Sequence, residues 1–202
     1  MSIWLAKDPL ILASQSRARQ MLLANAGIAF EAIPADIDER AVQINSGLSA
    51  PGEIANLLAR EKALWVSRQN PGRYVVGADQ TLALGSRLFS KPAGRAAAAE
   101  QLRLLAGNTH ELHSAFAVAR DGKILLADVS ISRMTMRSLS KSEIEAYLDQ
   151  AGDAVTTSVG AYQLEGLGVH LFERIEGDHF TILGMPLLPL VAFLRREGQL
   201  AS

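Results

Sequence analysis

The charged residues of this chain that could do chemistry stand at the edges of apolar runs. Asp79 lies in YVVGADQTLAL, residues 74–84, where Tyr74, Val75 and Val76 lead into a Gly-Ala step before Asp79 and Gln80 interrupt the run. An ionised carboxylate against core strand material needs a cation, a metal or hydrogen bonds, because an unpartnered buried charge is expensive. Ser14, Ser16 and Arg19 follow the apolar run LILA at 10–13, and Asp38 and Glu39 follow a second run from Ile28 to Pro34. Lys62 falls one turn after Leu58, at the border of the apolar side of a helical stretch. Lys91 precedes Pro92, whose ring restricts the backbone before it and so helps hold the amine in place.

Lysines, an arginine, carboxylates and a serine-rich turn before a helix are what a polyphosphate bound through a divalent metal requires. Carboxylates such as Asp79 and Glu39 hold a hard cation, magnesium or alternatively manganese; basic side chains neutralise phosphate oxygens, and turn amides add hydrogen bonds. Plainer roles fit the same residues: Asp79 capping a turn or pairing with an arginine, Asp38 to Arg40 as a solvated charged loop, Lys62 lying along a helix edge. The turn SQSRAR lacks the glycines of a P-loop. His110 and His113 in HELH are three apart, which is not the spacing of a zincin helix, and on a strand they would face opposite ways. His170 and His179 read as surface or core residues, and no GxSxG elbow is present.

The elements that must position these groups alternate. LILA reads as a buried strand, Ser14 or Ser16 as the cap of a helix that Gly27 ends, and 28–34 as a second strand. Ser49 and Pro51 mark the start of a long helix with Ile54, Leu57, Leu58, Leu64 and Trp65 on its apolar side, closed by Gly72. The third strand ends at Asp79 and Gln80, and an alanine-rich helix runs up to Gly107. Asp121-Gly122 between extended runs predicts a hairpin from Ser114 to Met136, and Ser140 with Glu143 has capping-box spacing before a helix ended by Gly152. A last apolar helix carries Arg195 and Arg196 in its final turn. The order favours an α/β fold with a mixed sheet.

With 202 residues, 20 Lys+Arg against 21 Asp+Glu and a net charge of −1, the chain has no general attraction for nucleic acid or an anionic membrane. It has no cysteine, which excludes disulfides and cysteine-based zinc or nucleophile chemistry. Charges in MSIWLAKDP come too early for a signal peptide and no apolar run reaches the ~20 residues of a membrane span, so a cytoplasmic location is expected.

Taken in order, LILASQSRAR, DIDER, REKALW, VVGADQT, SKP, GNTH and VGAYQLEGLGVHLFERIEGDHFTILGMPL resemble the Maf family of nucleoside triphosphate pyrophosphatases over nearly the whole chain. The resemblance implies a single Maf-like domain over residues 1–202, an elongated mixed sheet flanked by helices with a cleft between two lobes, and commonly a homodimer. It implies hydrolysis between the α and β phosphates, with Asp79 as proton acceptor or metal ligand and Glu39 on the metal. Ser14, Ser16, Arg19, Lys62 and Lys91 would then bind substrate. Ala18, Gln80 and Glu165 fall where the family varies with substrate, and Gln80 with Glu165 is similar to the branch associated with 7-methyl-GTP. Arg17 and Ala18 depart from the family's Pro-Arg pair, and Thr157, Ser158 and Val159 from its Asp-Lys-Ala. The other reading is a nucleotide-binding regulator of septum formation that does not catalyse.

Overall fold

A computed structural model describes residues 3–201. Strand β1 (Leu10–Leu12) is buried at every residue because β2 (Phe30–Ala32) and β3 (Val75–Leu84) pair with it in parallel on its two sides. The strands β5 (Thr109–Arg120), β6 (Lys123–Met136) and β7 (Phe172–Glu176) complete the order β2-β1-β3-β5-β6-β7, and β4 (Arg87–Phe89) pairs antiparallel with β3. With β7 antiparallel to β6 the sheet is mixed, in agreement with the expected α/β class. The helices are α1 (Arg17–Asn25), α2 (Glu39–Ser46), α3 (Pro51–Gln69), α4 (Arg95–Leu105), α5 (Lys141–Ala151), α6 (His179–Ile182) and α7 (Leu187–Arg196). None is long and apolar enough among the described residues to cross a membrane.

The chain forms two compact units. The first comprises the described residues of 3–80, 114–130 and 178–201; the second comprises 81–113 and 131–177. In the first unit β5 sorts its residues by parity. Phe116 and Val118 join Leu10, Leu12 and α7 in the main core, while Ala115, Ala117 and Ala119 meet Ala55, Ala59 and Ala63 of α3. Small residues on both surfaces let α3 lie close to the strands. The second unit buries Leu102 and Leu105 of α4, Met134 and Met136 of β6, and Ile144 and Leu148 of α5. Two local signals are present there and at the hairpin tip: Ser140 and Glu143 form a reciprocal capping box, and Asp121 and Gly122 take φ of 51° and 70°.

Four expectations change. Asp38 to Arg40 is not a loop, since the Asp38 carboxylate caps α2 by accepting from Ala41 N at 2.9 Å. The cap expected of Ser49 is absent: Ala50 precedes Pro51 at the start of α3 with no side-chain cap bond. Leu57, Leu64 and Trp65 are only partly buried, because the closest face of α3 is the alanine face. Strand β3 does not end at Asp79 but runs through it to Leu84, where antiparallel β4 takes over the pairing that β1 supplies at Val75 and Val76.

Candidate active site

Gly77 of β3 is where α3 comes closest. A Cβ there would lie 2.3 Å from Ala59 O and 2.6 Å from Ala63 N, so only glycine admits the helix. That approach brings Lys62, one turn after Leu58, inside the buried stripe of α3 instead of along its edge. Lys62 Nζ donates to Asp79 Oδ1 at 2.7 Å and stands 2.9 Å from Glu39 Oε1. Asp79 and Lys62 are each 8% exposed, whereas the Glu39 side chain, in the first turn of α2, is 51% exposed. The ammonium thus joins a buried carboxylate to an open one.

Burial pushes the Asp79 carboxyl above its usual range, and the charges of Lys62 and Arg19 pull against that rise. Asp79 Oδ2 and Glu39 Oε2 make no hydrogen bond among the described residues. An unpaired carboxylate oxygen with a raised pKa, beside cations, suits a group that receives a proton.

At the carboxyl end of β1 the chain turns into α1. Ser16 caps the helix by accepting from Arg19 N at 3.4 Å, and Ser14 Oγ accepts from Ser16 N and from Arg19 Nη1, both at 3.2 Å. Arg19 also donates through Nη1 to Ala78 O and through Nε to Gly184 O, each at 2.9 Å. The guanidinium therefore ties the end of β1, the strand carrying Asp79 and the turn after α6 into one frame. Its Nη2 makes no hydrogen bond among the described residues. Burial lowers the Arg19 pKa while Asp79 and Glu39 raise it, which places Arg19 in the same electrostatic field.

Gln80 Nε2 faces Ser114 Oγ at 2.8 Å, Ile182 O at 3.0 Å and Thr181 O at 3.1 Å. Acceptor carbonyls on that side assign the amine there and leave Oε1 as an acceptor without a partner among the described residues. Ala18 is partly buried and packs against the main core. The first unit thus brings together Ser14, Ser16, Arg19, Glu39, Lys62, Asp79 and Gln80. Lys91 and Glu165 belong to the second unit; both are exposed, Lys91 after β4 and Glu165 in a turn.

Ser114, Thr181 and Gly184 support this site and escape sequence reading. A signal existed for one of them: Ser114 shares the parity of Leu112, Phe116 and Val118, so it is a polar residue on a buried face. Thr181 is fixed by Asp178, which caps α6 and also takes the threonine hydroxyl bond. Among the described residues no cluster of three or more His, Cys, Asp or Glu could hold a metal by itself. Two carboxylates converging on one cation do fit magnesium, which is commonly bound by one or two carboxylates with substrate phosphates and water completing its shell.

A family model described as Maf-like protein matches residues 9–197. A relative from Bradyrhizobium diazoefficiens, named nucleoside triphosphate pyrophosphatase, is 71% identical over 201 residues, covering 100% of both chains. One of the same name from Rhodopseudomonas palustris is 70% identical with the same coverage. A relative from Brucella abortus, named 7-methyl-GTP pyrophosphatase, is 53% identical over 93% of this chain and 96% of its own.

Proposed function

The chain belongs to the Maf-like protein family, and from that premise we propose that it hydrolyses nucleoside triphosphates to a nucleoside monophosphate and pyrophosphate. The observation that carries the reading is the buried Asp79 held 2.7 Å from Lys62 with its second oxygen open. Asp79 Oδ2 takes a proton from water as the water oxygen forms a bond to the α-phosphorus. The bond from that phosphorus to the α-β bridging oxygen breaks, and the pyrophosphate leaves with the bridging oxygen and its electron pair. Lys62 and the open Nη2 of Arg19 stabilise the charge that gathers on the leaving group, and Lys91 is a further substrate-binding cation on the family resemblance. The hydroxyls of Ser14 and Ser16 accept bonds within the fold and keep their protons to donate to phosphate oxygens. Glu39 and Asp79 would hold a divalent cation, magnesium or manganese, that neutralises phosphate charge when bound.

The finer preference we propose is 7-methyl-GTP. Its N7-methylated ring is cationic, which suits a carboxylate at Glu165 better than a neutral amide. The Brucella abortus relative's name supports the same choice. Homodimeric assembly, which rests on the family resemblance, and a cytoplasmic location, which rests on the early charges and the lack of a long apolar run, are further parts of this proposal.

The test is product analysis with magnesium and 7-methyl-GTP, GTP, dTTP, UTP, CTP and ITP. Monophosphate and pyrophosphate in equal amounts are expected, fastest from 7-methyl-GTP. Diphosphate with orthophosphate, or nucleotide bound and returned intact, would overturn the reading, the second in favour of a regulator.

Lys62 gives a second check. In Lys62→Gln the Asp79 carboxyl loses its nearest cation and rises further, so the acidic limb of the kcat/KM profile should move up by about 1 to 3 pH units. An unmoved limb would show that Asp79 does not set it.

A further inference from the structure

His110 is fully buried on β5, and its Nε2 lies 2.7 Å from the Tyr162 hydroxyl. Phe172 packs against both rings, at centroid distances of 5.9 and 4.8 Å. Burial brings the imidazole down to about 4, so it is neutral at physiological pH and carries one N–H. Its Nδ1 is buried without a partner among the described residues. If Tyr162 donates to Nε2, the proton on Nδ1 is unpaired; if Nε2 donates, the tyrosine proton is. Two apolar rings would fill this space without that cost.

What the pair holds is an unusual backbone. Gly160 and Ala161 take φ of 80° and 63° in succession, and Ala161 has a side chain that disfavours such a value. A Cβ on Gly160 would meet Leu82 Cδ1 at 2.6 Å and Tyr162 Cε1 at 2.7 Å. Gly160 N donates to Gln101 Oε1 at 3.1 Å, and Tyr147 OH donates to Ala161 O at 3.2 Å. Directly after Tyr162, Gln163 O accepts from Gly166 N at 3.2 Å and Gly168 N at 3.1 Å. A Cβ on Gly168 would lie 2.3 Å from that oxygen, so the closed turn also demands glycine. The turn presents the exposed Glu165.

Strain at Gly160 and Ala161, beside the buried polar pair and on the segment that leads to the exposed Glu165, marks a place where position matters more than stability. We propose that His110 and Tyr162 are positioning residues for Glu165, fixing the backbone from Gly160 to Gly168 and with it the discrimination between bases. This rests on the reading above that Glu165 meets the base. The two residues touch no substrate in this account; they act through the turn.

The experiment compares Tyr162→Phe, Tyr147→Phe, Glu165→Gln and the Tyr162→Phe/Glu165→Gln double variant by the ratio of kcat/KM for 7-methyl-GTP to that for GTP, with Tm recorded for each. Glu165→Gln should lower the ratio about tenfold and Tyr162→Phe should lower it to a similar extent, the double variant falling no further than Glu165→Gln alone. Tyr147→Phe frees the same backbone from another side and should move the ratio in the same direction. It also keeps the test alive if Tyr162→Phe does not fold. A lower Tm with the wild-type ratio in both tyrosine variants, while Glu165→Gln changes it, would overturn the positioning role. A ratio unchanged by Glu165→Gln would instead sink the base-contact reading on which that role depends.

Discussion

Asp79→Asn is expected to lose turnover by about 10² to 10⁴-fold, the range general-base removal covers, while folding as well as the parent chain. The amide keeps the shape and leaves an oxygen for Lys62 Nζ, now 2.7 Å from Asp79 Oδ1, but it cannot take a proton. Stability should not fall, and the sign follows from linkage. Burial holds the folded pKa of Asp79 above its unfolded value, so the folded chain binds more protons than the unfolded one between those values. The contribution of Asp79 to stability is therefore full below the unfolded pKa and is lost as pH rises through the folded one. Near neutral pH the ionised carboxylate works against the fold, and asparagine removes that opposition. Steady-state kinetics and thermal melts at pH 7 and pH 4 would check both halves. Full turnover in the variant would remove Asp79 from the mechanism. A clear drop in Tm at pH 7 would mean that its charge is a net structural asset.

Gly77→Ala should cost about 3 to 5 kcal/mol, near the upper end for a single substitution. The added methyl would stand 2.3 Å from Ala59 O and 2.6 Å from Ala63 N. Both are backbone atoms of a helix whose inner face is already alanine, so no side chain can swing aside. Either α3 moves off β3 or β3 distorts. In both cases Lys62 leaves Asp79, and activity should fall along with the urea midpoint. Lost stability with unchanged kcat would show that the close approach serves the core alone.

Local signals in the chain are legible and long-range ones less so, for a physical reason. The Asp121-Gly122 hairpin and the Ser140–Glu143 capping box are decided by neighbours in sequence, and both are present. The helix behind Asp38 is hidden in the sequence because a capping carboxylate followed by charges looks like a solvated loop. The length of strand β3 is not legible because a polar pair in mid-strand looks like an ending, and only its partners show that the strand continues. The meeting of Lys62, Asp79 and Glu39 joins three separate elements, and nothing local encodes it. Its enabling residue, Gly77, carries no chemistry of its own. Likewise Arg19 was recognisable as a cation, but its carbonyl partners Ala78 and Gly184 are main-chain groups that any residue type could supply.

The first unit is drawn from three stretches of chain, and its final stretch, 178–201, supplies the carbonyls that bind Gln80 and Arg19 as well as the α7 side chains against β1. During synthesis the chain emerges amino end first, so Asp79 is made early but the frame around it must wait for residues 178–201 to leave the ribosome. Until then the loops to be closed are long, and their entropy is unrewarded by contacts. The nascent chain thus has its reactive carboxylate long before it has the frame that holds it, and synthesis of 178–201 is itself the step that assembles the site.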